Sequence, residues 1–231
     1  GGSAFGQITR IPISYDLHGT PILSPAGQRQ YFLPTQNSPL WSIQNEFFQS
    51  EVDRAYGNLV VGYDFTDWLS ASYRVTADTY FDQRSQIQRP GAARAPLGTI
   101  DEDTRFRSEL NGDLMITAKK DDIFMEGLDA NLLLGQNINS RSYRYSGVIG
   151  SSLAIPMFDN VSNASVFTSS YAGKTLRRLI GYYGQLSLGY NDYLFLELTG
   201  RADQSSTLPE KNNTYFYPSA SLSFVPTTAF E

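Results

Sequence analysis

Residues 181–224 read GYYGQLSLGY NDYLFLELTG RADQSSTLPE KNNTYFYPSA SLSF, and the alternation inside this stretch decides the fold class. Apolar residues recur at Tyr182, Leu186, Leu188 and Tyr190, then at Leu194, Leu196 and Leu198, then at Pro218, Ala220, Leu222 and Phe224. Gln185, Ser187, Glu197, Thr199, Arg201, Ser219, Ser221 and Ser223 take the positions between them. A period of two belongs to a strand, whose successive side chains point to opposite faces of a sheet. Three strands are therefore expected, each greasy on one side and polar on the other. Asn191-Asp192 makes a tight turn between the first two, and a polar loop precedes the third.

The same alternation recurs four times toward the N-terminus. About Val52 to Phe65 puts Ala55, Gly57, Leu59, Val61 and Tyr63 on one face, with Arg54, Tyr56, Asn58 and Asp64 opposite. Trp68 to Tyr80 opposes Leu69, Ala71, Tyr73, Val75 and Ala77 to Ser70, Ser72, Arg74, Thr76 and Asp78. Thr104 to Ala118 opposes Phe106, Leu110, Gly112, Leu114 and Ile116 to Arg105, Arg107, Glu109, Asn111, Asp113 and Thr117. About Gly127 to Asn137 groups Leu128, Ala130, Leu132 and Leu134 against Asp129, Asn131 and Gly135.

What covers the apolar face decides the function. A second sheet would make a sandwich; lipid would make a membrane barrel. The expected connections alternate in length: Thr66-Asp67 short, 82–99 long, 119–126 modest, 138–174 long, 191–192 short and 204–214 longer. Membrane barrels place short turns on the periplasmic side and long loops outside, whereas Greek-key sandwiches do not gather long connections at one end. Each apolar face runs for about nine to eleven residues, the length a tilted strand needs to cross a bilayer. The polar face holds Arg, Asp, Asn, Ser, Thr and Tyr with almost no Lys, which suits cross-strand hydrogen bonding in a wet lumen better than a soluble exterior.

Composition narrows the classes further. The chain has 231 residues, a formal net charge of −5, no Cys and a single His, His18. Lack of Cys excludes a disulfide scaffold and a thiolate zinc site, and the acidic balance argues against nucleic acid as a partner. No apolar run approaches the ~18 residues of a membrane helix, and no basic, apolar leader opens the chain. Residues 1–50 lack periodicity and carry Pro12, Pro21, Pro25, Pro34 and Pro39, so they read as an extracellular loop region, with 51–231 as barrel. Seven strands leave two unpaired edges, which lipid does not tolerate. The expected fold is thus all-β: an arc of about seven antiparallel strands from a larger transmembrane β-barrel.

The run Arg201-Ala202-Asp203-Gln204-Ser205-Ser206-Thr207-Leu208-Pro209, followed by Asn212, Asn213 and Tyr215-Phe216-Tyr217-Pro218-Ser219, resembles the barrel signature of the SusC/RagA family of TonB-dependent outer-membrane transporters of the Bacteroidetes. Pro39-Leu40-Trp41, Asp53-Arg54 leading to Gly57-Asn58, Thr66-Asp67-Trp68-Leu69, Asp78 to Arg84, and Ile155-Pro156-Met157-Phe158 with Asn160 to Asn163 add weaker matches. Ala202 and Gln204 depart from the family's usual polar residue and aromatic. The resemblance implies a barrel of about 22 strands around a plug domain, energy from the TonB complex through an N-terminal part that this chain lacks, and a SusD-like surface lipoprotein as lid. It also implies import of an oligosaccharide or peptide across the bacterial outer membrane. The chain would then be a mid-barrel fragment without its plug.

Arg74, Asp78, Arg105, Arg107, Glu109, Asp113, Arg201 and Asp203 fall on the polar faces and are candidate contacts to cargo or plug, or simply ion pairs with one another. Arg141, Tyr143, Arg144 and Tyr145 read as loop residues, and with Trp41 in the first loop they are candidate contacts to cargo or lid, since aromatic faces and Arg donors suit sugar rings and protein surfaces alike. Tyr63, Trp68, Tyr190 and Tyr193 beside short turns read as an interfacial aromatic girdle. No catalytic elbow or metal-ligand cluster appears, so no enzyme activity, cofactor or metal is expected. A passive porin-like barrel and a secreted β-sandwich adhesin or glycan-binding module are the competing readings.

Overall fold

The computed structural model describes residues 4–230. Seven strands form one antiparallel sheet in sequence order: β1 Glu46–Thr66, β2 Leu69–Gln88, β3 Thr99–Lys120, β4 Leu128–Leu153, β5 Ala164–Tyr190, β6 Leu194–Ser205 and β7 Thr214–Phe224. Three short helices accompany them: α1 Ala4–Ile8, α2 Pro39–Asn45 and α3 Pro226–Ala229. A single sheet with no second sheet stacked on it, among the described residues, is not a sandwich.

Register bears out the alternation of the opening stretch. Leu186 pairs with Leu198 and Leu198 with Ala220; Leu188 pairs with Leu196 and Leu196 with Leu222. One residue along each strand, Ser187 faces Glu197 and Glu197 faces Ser221. Apolar thus lies beside apolar across three strands, and polar beside polar. The β5–β6 turn places both Asn191 and Asp192 at positive φ, 46° and 58°, with the Tyr193 amide donating to the Tyr190 carbonyl at 3.1 Å. The connection is three residues, 191–193, and Asn and Asp tolerate the left-handed conformation it requires at its first two positions.

The strands are longer than their alternation. β4 has 26 residues and β5 has 27, against the ~9–11 that cross a bilayer. The connection expected over 138–174 is therefore mostly strand, and only 154–163 links β4 to β5. Likewise 82–99 shrinks to 89–98, and β1 begins at Glu46 rather than about Val52. The reason is physical: backbone pairing needs no alternation of apolar and polar side chains, so a strand continues past the point where its sequence stops alternating. The first 50 residues also contain α1, α2 and the start of β1.

Contacts group the chain into two compact units. One comprises the chain up to Asp53, Phe81–Phe106 and Arg144–Lys174; the other comprises Arg54–Tyr80, Arg107–Tyr143 and the chain from Thr175 onward. The first contains the packed apolar clusters. Trp41 lies buried with Ala92 and Ala95, and Ile22 packs against them. Ile87, Ile100 and Ala164 form the second cluster with Leu153 and Val161. The second unit is different in kind, because its apolar face is bare: Leu59 is 67% exposed, Val61 62%, Leu134 50% and Leu222 70%. A sheet that leaves whole rows of Leu and Val uncovered has its partner outside this segment.

Asn163 fixes the 154–163 connection. Its Oδ1 accepts from the Ile155 amide at 2.8 Å, and its Nδ2 donates to the carbonyls of Ile155 and Phe158, both at 2.7 Å. Asn160 Oδ1 caps the Ser162 amide, and the Val161 amide donates to Glu102 Oε1 at 3.0 Å. Asn163→Ala leaves the Ile155 amide and two carbonyls without these partners. A local destabilisation of about 1–3 kcal/mol is expected, read as faster proteolysis within 154–163 with the rest of the sheet intact.

Candidate functional site

The polar face of the second unit carries a continuous ladder of carboxylates, carboxamides and guanidinium groups. On β3, Glu109, Asn111 and Asp113 stand two residues apart; on β4, Asn137, Asn139 and Arg141 face them. Arg141 Nε pairs with Glu109 Oε1 at 2.9 Å. Asn139 Nδ2 donates to Glu109 Oε1 at 2.9 Å and to Asn111 Oδ1 at 3.2 Å. Asn137 Nδ2 donates to Asn111 Oδ1 at 3.0 Å and to Asp113 Oδ1 at 2.6 Å. Asn111 Nδ2 completes the ladder by donating to Asp113 Oδ2 at 2.6 Å. Beside it lies a cavity of about 290 Å³ lined by Glu109, Asn111, Asn137, Asn139, Arg141, Arg177 and Leu179.

Two further ion pairs stand on the same kind of face. Arg54 grips Asp78 with two bonds, 2.9 and 2.7 Å. On β6, Arg201 pairs with Asp203 at 2.8 Å, and its guanidinium sits 5.7 Å from the centre of the Tyr183 ring. Two glycines make room for this arrangement. A Cβ on Gly181 would meet the Arg201–Asp203 pair, and one on Gly135 would meet the Tyr183 ring.

The first unit has its own polar cluster. Asp82 is 1% exposed, accepting from Ser50 Oγ at 2.7 Å and from Arg84 Nε at 2.7 Å. Burial works to raise the Asp82 carboxyl, but the Ser50 and Arg84 bonds outweigh it and hold the group below its ordinary value. Arg105 pairs with Asp103 at 2.6 Å. Tyr171 donates to Asp101 Oδ1 at 2.9 Å. Burial first, and then the Asp101 carboxylate, push the Tyr171 hydroxyl up to about 12, so it remains a donor throughout the physiological range. Because the folded Asp82 value is depressed, its stabilisation is full above the unfolded carboxylate pKa of about 3.9. It is lost as pH falls through the folded value. Asp82→Asn is expected to flatten that acid-side loss, measured as the pH dependence of protease resistance in this segment between pH 5 and about 3.

Each residue expected from sequence now has a place. Asp78 pairs with Arg54, not with Arg74, which has no ion pair among the described residues. Glu109 and Asp113 join one ladder, and Arg201 with Asp203 forms the pair foreseen. Arg105 pairs with its own strand neighbour, and Arg107 contributes charge near Asp78 and Glu109 without a hydrogen bond to either. Arg141, Tyr143, Arg144 and Tyr145 are not in a loop but on β4. Alternation divides them: Arg141, Tyr143 and Tyr145 share the polar face, and Arg144 points the other way, 4.9 Å from the Phe106 ring. Trp41 is 3% exposed within α2 and its cluster, so it is a core residue rather than a contact surface. Arg54, Asn111, Asn137, Asn139 and Arg177 were missed as site residues. The signal existed in Asn137-x-Asn139-x-Arg141-x-Tyr143, a polar alternation continuing past the last apolar partner.

The comparisons with known proteins agree with this geometry. Residues 6–230 match the family model described as TonB dependent receptor-like, beta-barrel. The chain belongs to that family, which is one of receptor barrels and not an enzyme class. Its fold is similar to the structure of the RagAB peptide transporter, with a TM-score of 0.77 at 15% identity, covering 85% of this chain and 22% of that one. It is also similar to the RagAB peptide importer in its 'closed-closed' state (TM-score 0.77, 15% identity, 84% and 22% covered) and its 'open-open' state (TM-score 0.75, 16% identity, 85% and 22% covered). The chain therefore spans about a fifth of the length of the structures it matches. No curated protein matches it significantly. The SusC/RagA resemblance carried by residues 201–219 accords with both findings.

Proposed function

We propose that this chain is a seven-strand arc in the barrel of a TonB-dependent importer in the bacterial outer membrane. It moves a nutrient, oligosaccharide or peptide, inward beneath a SusD-like lipoprotein lid. The plug and the TonB contact belong to parts of the protein outside this segment. The observation that carries the reading is one sheet with a bare apolar face and a hydrogen-bonded polar face, in a chain that matches a TonB-dependent receptor barrel along nearly all its length. The bare face suits outer-membrane lipid; the ladder from Glu109 to Arg141 suits a wet lumen, where it meets plug or polar cargo. In this reading residues 4–45 and the connections 89–98 and 154–163 belong to the extracellular side.

The test uses the full-length protein in a strain deleted for it, supplied with oligosaccharides or peptides as sole nutrient. Growth on one class, lost on collapsing the proton gradient or removing TonB, is the expected result and names the cargo class. Uptake that survives removal of TonB supports the passive porin reading instead. Growth unaffected by the deletion on either class overturns import of both.

A further inference from the structure

Two arginines far apart in sequence meet in a pocket away from the polar ladder. Arg10 follows α1 and Arg94 lies in the 89–98 connection, yet both line one partly enclosed cavity of about 350 Å³. Thr35, Gln36, Asn37 and Gln88 supply its polar wall. The whole pocket lies within the first compact unit. Both arginines are exposed, and among the described residues neither has an ion pair or a side-chain hydrogen bond. The acid bonded to this wall is already taken. Glu46 Oε1 accepts from Asn37 Nδ2 at 2.5 Å and from Gln88 Nε2 at 3.3 Å, and Glu46 does not line the pocket. Asn37 Oδ1 in turn accepts the Ala93 amide at 2.6 Å, which ties the wall to the residue before Arg94. Asn37 is therefore a buried brace. The side chains of Thr35 and Gln36 have no hydrogen-bond partner among the described residues, and Gln88 keeps its Oε1 and one amide hydrogen.

The chemistry of these groups identifies the occupant. Two guanidinium groups at one cavity repel each other, and an anion between them offsets both. The guanidinium fork matches a carboxylate through two parallel N–H···O bonds. The rest of the wall narrows the ligand further. Carboxamides and hydroxyls both donate and accept, which is what sugar hydroxyls need of a partner. No apolar side chain larger than alanine lines the pocket, so a peptide would find no seat for aliphatic or aromatic side chains. The volume falls at the small end of the range of ligand cavities, about 300–1,000 Å³, which suits the end of a saccharide chain rather than its length.

We propose that this pocket binds an acidic sugar of the cargo, a uronate whose carboxylate is taken by Arg10 and Arg94 while its hydroxyls meet Thr35, Gln36 and Gln88. The sugar is cargo only if the import reading holds, but its binding is measured without uptake.

Isothermal titration calorimetry of the full-length protein in mild detergent tests this, with trigalacturonate as the probe and the same trisaccharide with its carboxyls reduced to alcohols as control. Wild type is expected to bind the acid form on the order of tenfold tighter than the reduced form. Arg10→Ala/Arg94→Ala is expected to bind the two forms alike. Lys119→Ala/Lys120→Ala, an equal charge loss at the β3–β4 turn, keeps the wild-type preference. Equal affinities in wild type, or no binding of either form, overturn the proposal, and so does a folded double alanine variant that still prefers the acid. A tripeptide with a free C-terminal carboxylate that binds as tightly as trigalacturonate overturns the assignment to a sugar. Inorganic phosphate that displaces trigalacturonate at equal concentration also overturns it, since the site would then take any free anion. The wild-type comparison decides the matter even where the double variant does not fold. None of these readouts involves uptake or TonB, so failure of this pocket and failure of import are told apart.

Discussion

Leu198→Arg is expected to lower stability in a bilayer by about 2–4 kcal/mol, the cost of a cation near the membrane midplane on a lipid-facing strand. Leu198 sits on β6, an interior strand, flanked across the sheet by Leu186 and Ala220 on the same bare face. Arg at this point has no acid nearby, because its cross-strand neighbours are all apolar. The same change one residue along, Thr199→Arg, projects to the other face between Gln185 and Ser219 and is expected to cost far less. Urea midpoints of the full-length protein refolded into liposomes measure both. Equal losses for the two variants would show that the faces have been assigned the wrong media.

Trp41→Ala is the second large effect. The side chain is 3% exposed and packs with Ala92, Ala95 and Ile22, and the Gly91 Cα lies close to its ring, since a Cβ there would be 3.6 Å from Trp41 Cζ2. Removing a buried aromatic costs about 3–5 kcal/mol. Small neighbours such as two alanines cannot collapse into the space, which places the loss toward the upper end. The damage is local to the segment that Trp41 anchors, so surface protease on intact cells is expected to cut within residues 4–45 of the variant and to spare wild type. The strands should assemble as before, because the bare apolar face owes nothing to this cluster.

These two sites show what the sequence made legible and why. Leu198 was readable because lipid on one side and water on the other impose opposite demands on successive residues, and the demand is written at every second position. All seven strands were visible for that reason. Their full lengths were not. From Asn139 to Leu153, and from Ala164 to Arg177, apolar and polar residues no longer alternate in sequence, and strands looked like loops. That single blind spot moved Arg141, Tyr143, Arg144 and Tyr145 into a loop and hid the Asn137–Asn139 half of the ladder. Trp41 was misread differently: an aromatic among prolines looks the same whether it greets a ligand or plugs a small core. The pairs Asp82/Arg84, Asp103/Arg105 and Arg201/Asp203 were within reach, since acid and base two apart on a strand share a face and a long Arg can fold back to its neighbour.

The carboxamide ladder between β3 and β4 also sets a rule for how this protein can change its length. An added residue in β4 between Leu128 and Asn137 would turn every side chain on one side of the insertion over, sending Asn137 or Leu134 into the wrong medium and breaking the bonds to Asn111 and Asp113. Two added residues restore the parity. Insertions there keep the faces only in even numbers, unless a single extra residue is absorbed as a β-bulge, while a connection outside the sheet register carries no such parity. Evolution of such a barrel is therefore quantised in its wall and continuous at its rim.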